Sequence, residues 1–406
     1  MKQRRPSFLR ACPGHTAPAP DARPPRPLAK RPRRLPGACL LLLLLTCLAL
    51  GVAAPSGAQG PVRAIYVEGG PYGDYDMVLQ GLILGLRQRG LLPDVPAQGT
   101  SRESWRRLAA LSSATGGTLQ FLPDGFYSAD WSDEDRKRNK AAILQRIRER
   151  GDVDLILAMG TWAGVDMATD EHAVPVMALS ASDAHGAGIM KTPLDSGRDH
   201  VYAMIEPDRL PRQVVFFHKI FRFNRLGVTY EDTPDGRSAA GIDMIREVAA
   251  LLDITLVPCT AAFDVPDVAV THARLLACHE ELAPRVDAMY LTVNNALTAE
   301  AAPELAEPFH ARGIPTFAQH VPGGVRQGIL LDIAQASPDK EGLFAANALA
   351  MILDGASPRK APNWFENEIS ISLNMDTARR IGWTPPFSLL LAVDKLYVGG
   401  KEHRGR

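Results

Sequence analysis

The sequence predicts an α/β protein with two lobes, each built on a doubly wound parallel sheet, and with a hinge and a cleft between the lobes. Short apolar segments alternate with amphipathic ones from residue 62 onward, as in repeated strand–helix units. The continuous apolar segment 154–159 is typical of a parallel strand that is covered on both faces. The series restarts near residue 206, and the chain is longer than one core usually supports, so two lobes are expected.

The first unit opens with a strand at 62–67 and a glycine-rich loop at 69–73. A helix follows, and its apolar residues fall on one face: Val78, Leu79, Leu82, Ile83 and Leu86. Further strands are predicted at 118–122, 154–159, 174–179 and 201–205. A charged helix is predicted at 132–150, where Ser132 and Asp135 fit an N-terminal cap.

The second unit repeats this order. Helices are predicted at 209–221, 239–252, 268–282 and 301–311, and strands at 225–230, 255–257, 288–291 and 315–318. The C-terminal part of the chain departs from this strand–helix alternation. It is predicted to contain a helix at 338–353, an alternating strand at 369–373 and two further segments at 377–381 and 387–396. Such a tail can complete both lobes, so we expect lobe 1 to hold 61–205 plus 335–358, and lobe 2 to hold 206–334 plus 362–400.

The N-terminal region 1–58 reads as a basic extension followed by a secretory signal peptide. Arg31, Arg33 and Arg34 precede a short apolar core, and small residues follow it as far as Ala58. The core of about 15 residues is shorter than a helix needs to span a bilayer. We therefore expect cleavage near Ala58 and a periplasmic or extracytoplasmic location, with an uncleaved membrane anchor as the alternative.

Removing this region changes the charge of the protein. Residues 1–58 carry ten Lys and Arg against one Asp, so the remainder has 35 basic and 44 acidic residues and a net charge near −9. An acidic protein has no electrostatic reason to bind nucleic acid. Cys259 and Cys278 are the cysteines that remain, and their pairing stays open at this level. With His272 and His279 nearby they match no tight metal-ligand spacing, so no metal is expected.

Motifs for catalysis are missing from the sequence. The loop at 69–73 lacks the G-x-G-x-x-G spacing of dinucleotide-binding proteins, and the chain has neither a P-loop nor a G-x-S-x-G elbow. The histidines of the α/β region are scattered rather than grouped with a nucleophile; they include His185, His200, His218 and His320. We therefore expect neither an enzyme nor a cofactor.

Polar side chains instead collect after the predicted strands, where open α/β sheets bind ligands. This mixture of hydroxyl, amide, carboxylate and aromatic groups suits a small zwitterion. Each group also has a structural explanation. Ser182, Asp232 and Asn295 fit helix caps equally well, Tyr72 and Trp162 fit core aromatics, and Arg326 either clamps a carboxylate or lies solvated on a turn.

A resemblance to a known family rests on seven segments: 74–90, 152–164, 178–188, 225–230, 286–295, 313–328 and 370–390. In their order and spacing along the chain, these segments resemble the substrate-binding proteins of ABC transporters, in particular the tryptophan- and tyrosine-binding type. The resemblance covers residues 62–398 and implies a type I periplasmic-binding-protein fold with its ligand between the lobes. It implies an inner-membrane permease and its ATPase as partners, and we expect a monomer.

Carried over by position, the resemblance implies ligand contacts from Tyr72, Asp74, Thr161, Trp162, Ser182, Asp183, Tyr230, Asn294, Asn295 and Gln319. The chain departs from the family pattern at Val293, where an aspartate is common, and at Ala184, where a proline is usual. The expected function is binding of a small polar or aromatic, amino-acid-like solute for an ABC importer. The alternatives are a periplasmic sensor domain that partners a membrane kinase or chemoreceptor, and an exported enzyme.

Overall fold

The computed structural model describes residues 60–404 except 116, 207, 336–338 and 367–368. The expected signal peptide lies outside these residues. Within them, no helix is both long and apolar enough to cross a membrane.

The first lobe is built on a parallel sheet of five strands. In chain order they are β1 (Val62–Glu68), β2 (Leu119–Ser128), β3 (Leu155–Met159), β4 (Val176–Leu179) and β5 (Val201–Ala203). The helices between them are α1 (Gly73–Gln88), α2 (Ser101–Thr115), α3 (Asp133–Glu149) and α4 (Gly160–Met167). The strand order β2-β1-β3-β4-β5 reverses direction between β1 and β3, which is where doubly wound sheets bind ligands.

The second lobe is built on a sheet of eight strands. They are β6 (Arg225–Tyr230), β7 (Thr255–Thr260), β8 (Ala288–Leu291), β9 (Thr316–Ala318), β10 (Leu331–Gln335), β11 (Ile369–Asn374), β12 (Lys395–Val398) and β13 (Lys401–Arg404). Their order is β13-β12-β11-β10-β9-β8-β6-β7. The pairs β10–β11 and β12–β13 are antiparallel and the other pairs are parallel. A second switch point lies between β6 and β8.

The helices that follow β5 are, in chain order, α5 (Arg209–Phe221), α6 (Pro234–Ala240), α7 (Ile242–Leu251), α8 (Val268–Leu282), α9 (Ala302–His310), α10 (Gly324–Gln327), α11 (Asp339–Leu353), α12 (Met375–Arg380) and α13 (Phe387–Ala392). A short 3₁₀ helix spans Pro358–Lys360.

Each sheet has a buried core on both faces. In β1, Ala64 and Tyr66 contribute to one apolar cluster while Ile65 and Val67 contribute to another. Because successive strand residues point to opposite faces, burial of all four shows that helices cover both sides of this sheet. The expected fold class of two doubly wound α/β lobes is confirmed.

Several element predictions need correction. The helix expected at 239–252 begins at Ile242, because Gly241 adopts a left-handed conformation (φ 60°) and separates it from α6, which was not predicted. A side chain there would overlap Leu210, so only glycine fits. The helix α2 and the strand β10 were not predicted. The segment 387–396 is α13 followed by the start of β12, since Val393 adopts an extended conformation that ends the helix.

The helix α11 follows a strand of the second sheet but packs on α1 of the first lobe. A Cβ atom at Gly342 would overlap the backbone of α1 at Val78 and Leu82, so the two helices approach within backbone contact. Ala345 and Leu349 are fully buried in the same contact. This packing supports the division 61–205 plus 335–358 and 206–334 plus 362–400, which we keep as a proposal.

Cys259 of β7 and Cys278 of α8 form a disulfide, with their Cα atoms 5.6 Å apart. The pairing that the sequence left open is therefore decided by the way α8 packs beside the edge strand β7. No group of three or more potential metal ligands lies together among the described residues.

Candidate functional site

A cavity lies between the two lobes, at the carboxyl ends of their strands. It encloses ≈ 890 Å³ of space not occupied by atoms, part of which is open to solvent. The first lobe contributes residues that follow β1, β3 and β4, and the second contributes residues that follow β7, β8 and β9. The cavity thus lies where the strand order of both sheets predicts a ligand.

Aromatic side chains form one wall of this cavity. The rings of Trp131 and Trp162 meet edge to face, with centroids 5.6 Å apart, and those of Tyr72 and Tyr75 do so at 5.3 Å. Trp131 has a positive φ of 62°, which is unfavourable for a residue with a side chain. Its backbone N–H donates to the Gly69 carbonyl at 2.9 Å and holds this conformation.

Glycine residues make room for these rings. A Cβ atom at Gly70 would lie 2.5 Å from the Trp131 indole, and one at Gly160 would overlap the Tyr75 hydroxyl. Gly160 also has a positive φ of 78°. The loops after β1 and β3 therefore need glycine to bring the aromatic wall together.

Asp74 links the two lobes through His320. Its Oδ2 accepts a hydrogen bond from the Ser180 hydroxyl, and its Oδ1 lies 2.8 Å from His320 Nε2. This contact is an ion pair, and Nε2 makes no hydrogen bond of regular geometry within the described residues. The Tyr72 hydroxyl, also in the first lobe, donates to the His320 carbonyl at 3.3 Å.

The pKa values of this pair are shifted in opposite directions. Burial by itself raises the pKa of Asp74, but the charge of His320 and the hydrogen bonds lower it to about 2. Burial lowers the pKa of His320, and the Asp74 carboxylate more than reverses this effect, so the net shift is upward. Both groups are therefore charged over a wide range of pH.

Arg209 supplies a cation to the cavity. It is the first residue of α5, and its Nε lies 3.7 Å from Glu206 Oε2. Sequence reasoning missed it, although one signal was present: a cation at a helix N-terminus opposes the helix dipole and needs another explanation.

Asp264 of the second lobe supplies an acid to the cavity. It lies in the loop after β7, and its Oδ1 accepts from the Asn295 backbone N–H at 3.1 Å. Burial and the nearby Glu231 raise its pKa to about 7. Sequence reasoning missed Asp264 because the loop at 261–267 was not treated as a strand end.

Arg136 joins the lobes behind the aromatic wall. The guanidinium of this α3 residue lies 4.7 Å from the Trp162 ring centroid. It donates to Asp166 of α4 at 2.8 Å and to Asp235 of α6, in the other lobe, at 2.5 Å. The three side chains are largely buried, so water screens the contact poorly.

Six of the ten residues implied by the resemblance line the cavity: Tyr72, Asp74, Thr161, Trp162, Ser182 and Asn294. The Asn294 side chain also accepts hydrogen bonds from the backbone N–H groups of Ala296 and Leu297, so it caps its own loop. The lining also includes described residues outside that set of ten, among them Tyr75, Trp131, Ser180, Glu206, Arg209, Asp264, His320 and Glu341.

The other four are directed to partners within the protein. Asp183 accepts from the Gly186 backbone N–H at 2.7 Å, and the Tyr230 hydroxyl accepts from Arg246 at 2.8 Å. Asn295 donates to the Val265 carbonyl at 2.8 Å, and Gln319 bonds to the backbone of Val293 and Ala239. Loop backbone groups need such partners, and position after a strand does not reveal which way a side chain turns.

Two other sequence candidates are also placed. His279 is buried, its Nδ1 lies 2.7 Å from the Leu305 carbonyl, and burial lowers its pKa to about 4, so it is a neutral core residue. Arg326 is exposed on α10 and lines a separate cavity rather than the cleft.

Comparison with known proteins supports the architecture. No family model and no curated protein sequence matches the chain. Among solved structures, an ABC domain from Streptococcus pneumoniae in complex with L-Trp is 17% identical over 83% of this chain and 100% of that one, with a TM-score of 0.62.

Two further solved structures are similar to the chain over nearly the same share of its length. A conserved domain protein from Vibrio cholerae is 17% identical over 82% of this chain and 99% of that one, with a TM-score of 0.61. The ligand-free, open CD0873 of Clostridium difficile, a substrate-binding protein with adhesive properties, is 18% identical over 84% and 100%, with a TM-score of 0.53. Two α/β lobes, a cleft at both switch points and these similarities identify the chain as having the type I periplasmic-binding-protein fold, and it resembles the substrate-binding proteins of ABC transporters.

Proposed function

We propose that this protein is an exported solute-binding protein of an ABC importer, which closes its two lobes around a small polar or aromatic, amino-acid-like solute. The partners in this proposal are an inner-membrane permease and its ATPase. The protein binds its solute and does not transform it.

The observation that carries the proposal is a cavity whose lining comes from both lobes and whose rim is crossed by interlobe contacts. Asp74 and Tyr72 reach His320, and Arg136 reaches Asp235. A ligand that contacts both lobes favours the closed arrangement over an open one, because its affinity differs between the two. The permease can then distinguish the closed, ligand-bound form from the open form.

The cavity chemistry supports an amino-acid-like ligand. Arg209 offers a cation for a carboxylate, and Asp264 offers an acid for an ammonium group. The aromatic wall of Trp131 and Trp162 offers a surface for an apolar or aromatic side chain. These three features meet in one cavity.

A thermal-shift screen of free amino acids and related metabolites, followed by isothermal titration, tests the proposal. We expect at least one amino-acid-like compound to raise the unfolding temperature and to bind with one-to-one stoichiometry. Turnover of that compound in the calorimeter contradicts a binding function. So does tight binding of a protein partner without any stabilising solute.

Replacement of a wall residue tests the site. Trp162→Ala removes part of the aromatic wall, so we expect affinity for the screened ligand to fall about tenfold or more while the protein stays folded. The matched control is Trp105→Ala, since Trp105 is 1% exposed and lies away from the cavity. We expect that change to cost about 3–5 kcal/mol of unfolding free energy. If Trp162→Ala lowers the free energy of unfolding as much as Trp105→Ala does, Trp162 is a core residue.

A further inference from the structure

A second cavity shares His320 with the cleft. It encloses ≈ 580 Å³ of space not occupied by atoms, part of it open to solvent. Met77 of α1 lines it from the first lobe, and residues of α10, β10, β11 and β12 line it from the second. His320 lines both cavities.

Asp332 is the unusual residue of this cavity. It is 8% exposed, and its Oδ1 is buried without a hydrogen-bond partner among the described residues. A buried carboxylate oxygen without a donor is costly, and native structures rarely keep one without a reason. Burial raises the pKa of Asp332 to about 6, although Ser372, its neighbour across the β10–β11 pair, offsets part of the effect.

Two cations line the same cavity. Arg326 is exposed on α10, and Lys395 is half-buried at the start of β12. Neither forms an ion pair within the described part of the chain. Two unpaired cations beside one carboxylate give the cavity a surplus of positive charge, so an anion is favoured there.

We propose that this second cavity binds a small organic carboxylate that also carries a hydroxyl or ammonium group. Arg326 and Lys395 pair with the carboxylate, and Asp332 accepts a hydrogen bond from the hydroxyl or ammonium group. A carboxylate ligand satisfies the cations, and its donor satisfies the orphaned acceptor, so one compact molecule meets both needs. The proposal is independent of the solute proposed for the cleft.

Matched pairs of compounds test the chemistry by isothermal titration. L-malate and succinate differ by one hydroxyl, and L-glutamate and glutarate differ by one ammonium group. We expect malate or glutamate to bind about tenfold more tightly than its partner, because only they donate to Asp332. Asp332→Ala removes this preference. Absence of binding by both malate and glutamate at millimolar concentration overturns the proposal, as does equal binding within both pairs.

Charge-removing variants locate the site. Arg326→Gln and Lys395→Gln are each expected to weaken binding of the preferred compound about tenfold. Lys219→Gln removes the same charge from an exposed position on α5 and is expected to have no effect. Arg209→Gln reports on the cleft instead. If Arg209→Gln abolishes binding and Arg326→Gln does not, the compound binds in the cleft and the second site is excluded. Thermal unfolding of each variant checks that it is folded.

Discussion

Asp264 shows how burial changes the acid–base behaviour of a single side chain in the cleft. The carboxyl group is buried in the cleft near Glu231, and within the described part of the chain it accepts one hydrogen bond, from the Asn295 backbone N–H. Its pKa is therefore about 7, well above the ordinary value near 3.9. A ligand ammonium group placed beside the Asp264 carboxyl group would supply a positive charge that favours its ionised form.

The sign of the resulting pH effect follows from linkage. The pKa of Asp264 is higher in the folded than in the unfolded state, so the folded state retains the proton longer. The free energy of unfolding therefore falls as pH rises from the ordinary aspartate range to about 7. We expect Asp264→Asn to unfold at a higher temperature than the wild type at pH 8 and at the same temperature at pH 3. Thermal unfolding at both values measures this, with the exposed Asp232→Asn as the control.

The same replacement should act in the opposite direction on binding. For a ligand that carries an ammonium group, wild-type affinity should fall as pH drops below 7, by at most about tenfold per pH unit, because Asp264 becomes neutral. Asp264→Asn should bind weakly without this dependence. Equal pH profiles for wild type and variant would show that Asp264 does not contact the ligand.

At the scale of elements, Gly241 and the disulfide determine helix ends and helix positions that the apolar pattern of the sequence does not define. Gly241 separates α6 from α7, and α6 carries Asp235 in its first turn, where it meets Arg136. The Cys259–Cys278 bond fixes α8 to the edge strand β7, just before the loop that carries Asp264. These features position the loops of the cleft rather than the core.

Removing the disulfide should lower stability. The bond spans 19 residues along the chain, and a loop of this size stabilises a fold by about 3 kcal/mol through the unfolded state. We expect the double variant Cys259→Ser, Cys278→Ala to lose about this much in chemical denaturation, and the reduced wild type to match it. A loss below about 0.5 kcal/mol would show that packing of α8 alone holds this edge.

At the scale of the whole molecule, several described side chains join the two lobes across the cleft. Arg136 provides one from behind Trp162, and His320 receives two from the first lobe. Arg136 also contacts Trp162 in the cavity wall. Loss of its ion pair with Asp235 across the cleft should therefore lower the affinity for a ligand. Closure and binding are then parts of one equilibrium.

Asp235→Asn tests this link, since it removes the charge across the cleft and leaves the Arg136–Asp166 pair in place. We expect ligand affinity to fall roughly three- to tenfold, because the largely buried pair favours the closed form. Small-angle scattering of the ligand-free variant should show a larger radius of gyration. Asp232→Asn, which breaks an exposed pair with Arg237 within one lobe, should change neither quantity. An unchanged affinity in Asp235→Asn would remove Arg136 from the closure mechanism.

The sequence by itself determined the repeated strand–helix units, the two lobes and the edge of each sheet where polar groups collect. These depend on local periodicity, which the chain carries in its apolar residues. It therefore placed Tyr72, Asp74, Thr161 and Trp162 at the cavity.

Only the tertiary structure decided which way the polar side chains turn and which partners they meet. Gln319 and Asn295 follow strands as Asn294 does, yet they bond to neighbouring loops because those loops need hydrogen bonds. Arg209 and Asp264 reach the cavity from a helix start and from a loop after an edge strand. The contacts of Arg136, His320 and α11 join residues about a hundred or more positions apart, and no local pattern encodes a pairing that exists only once both lobes have folded.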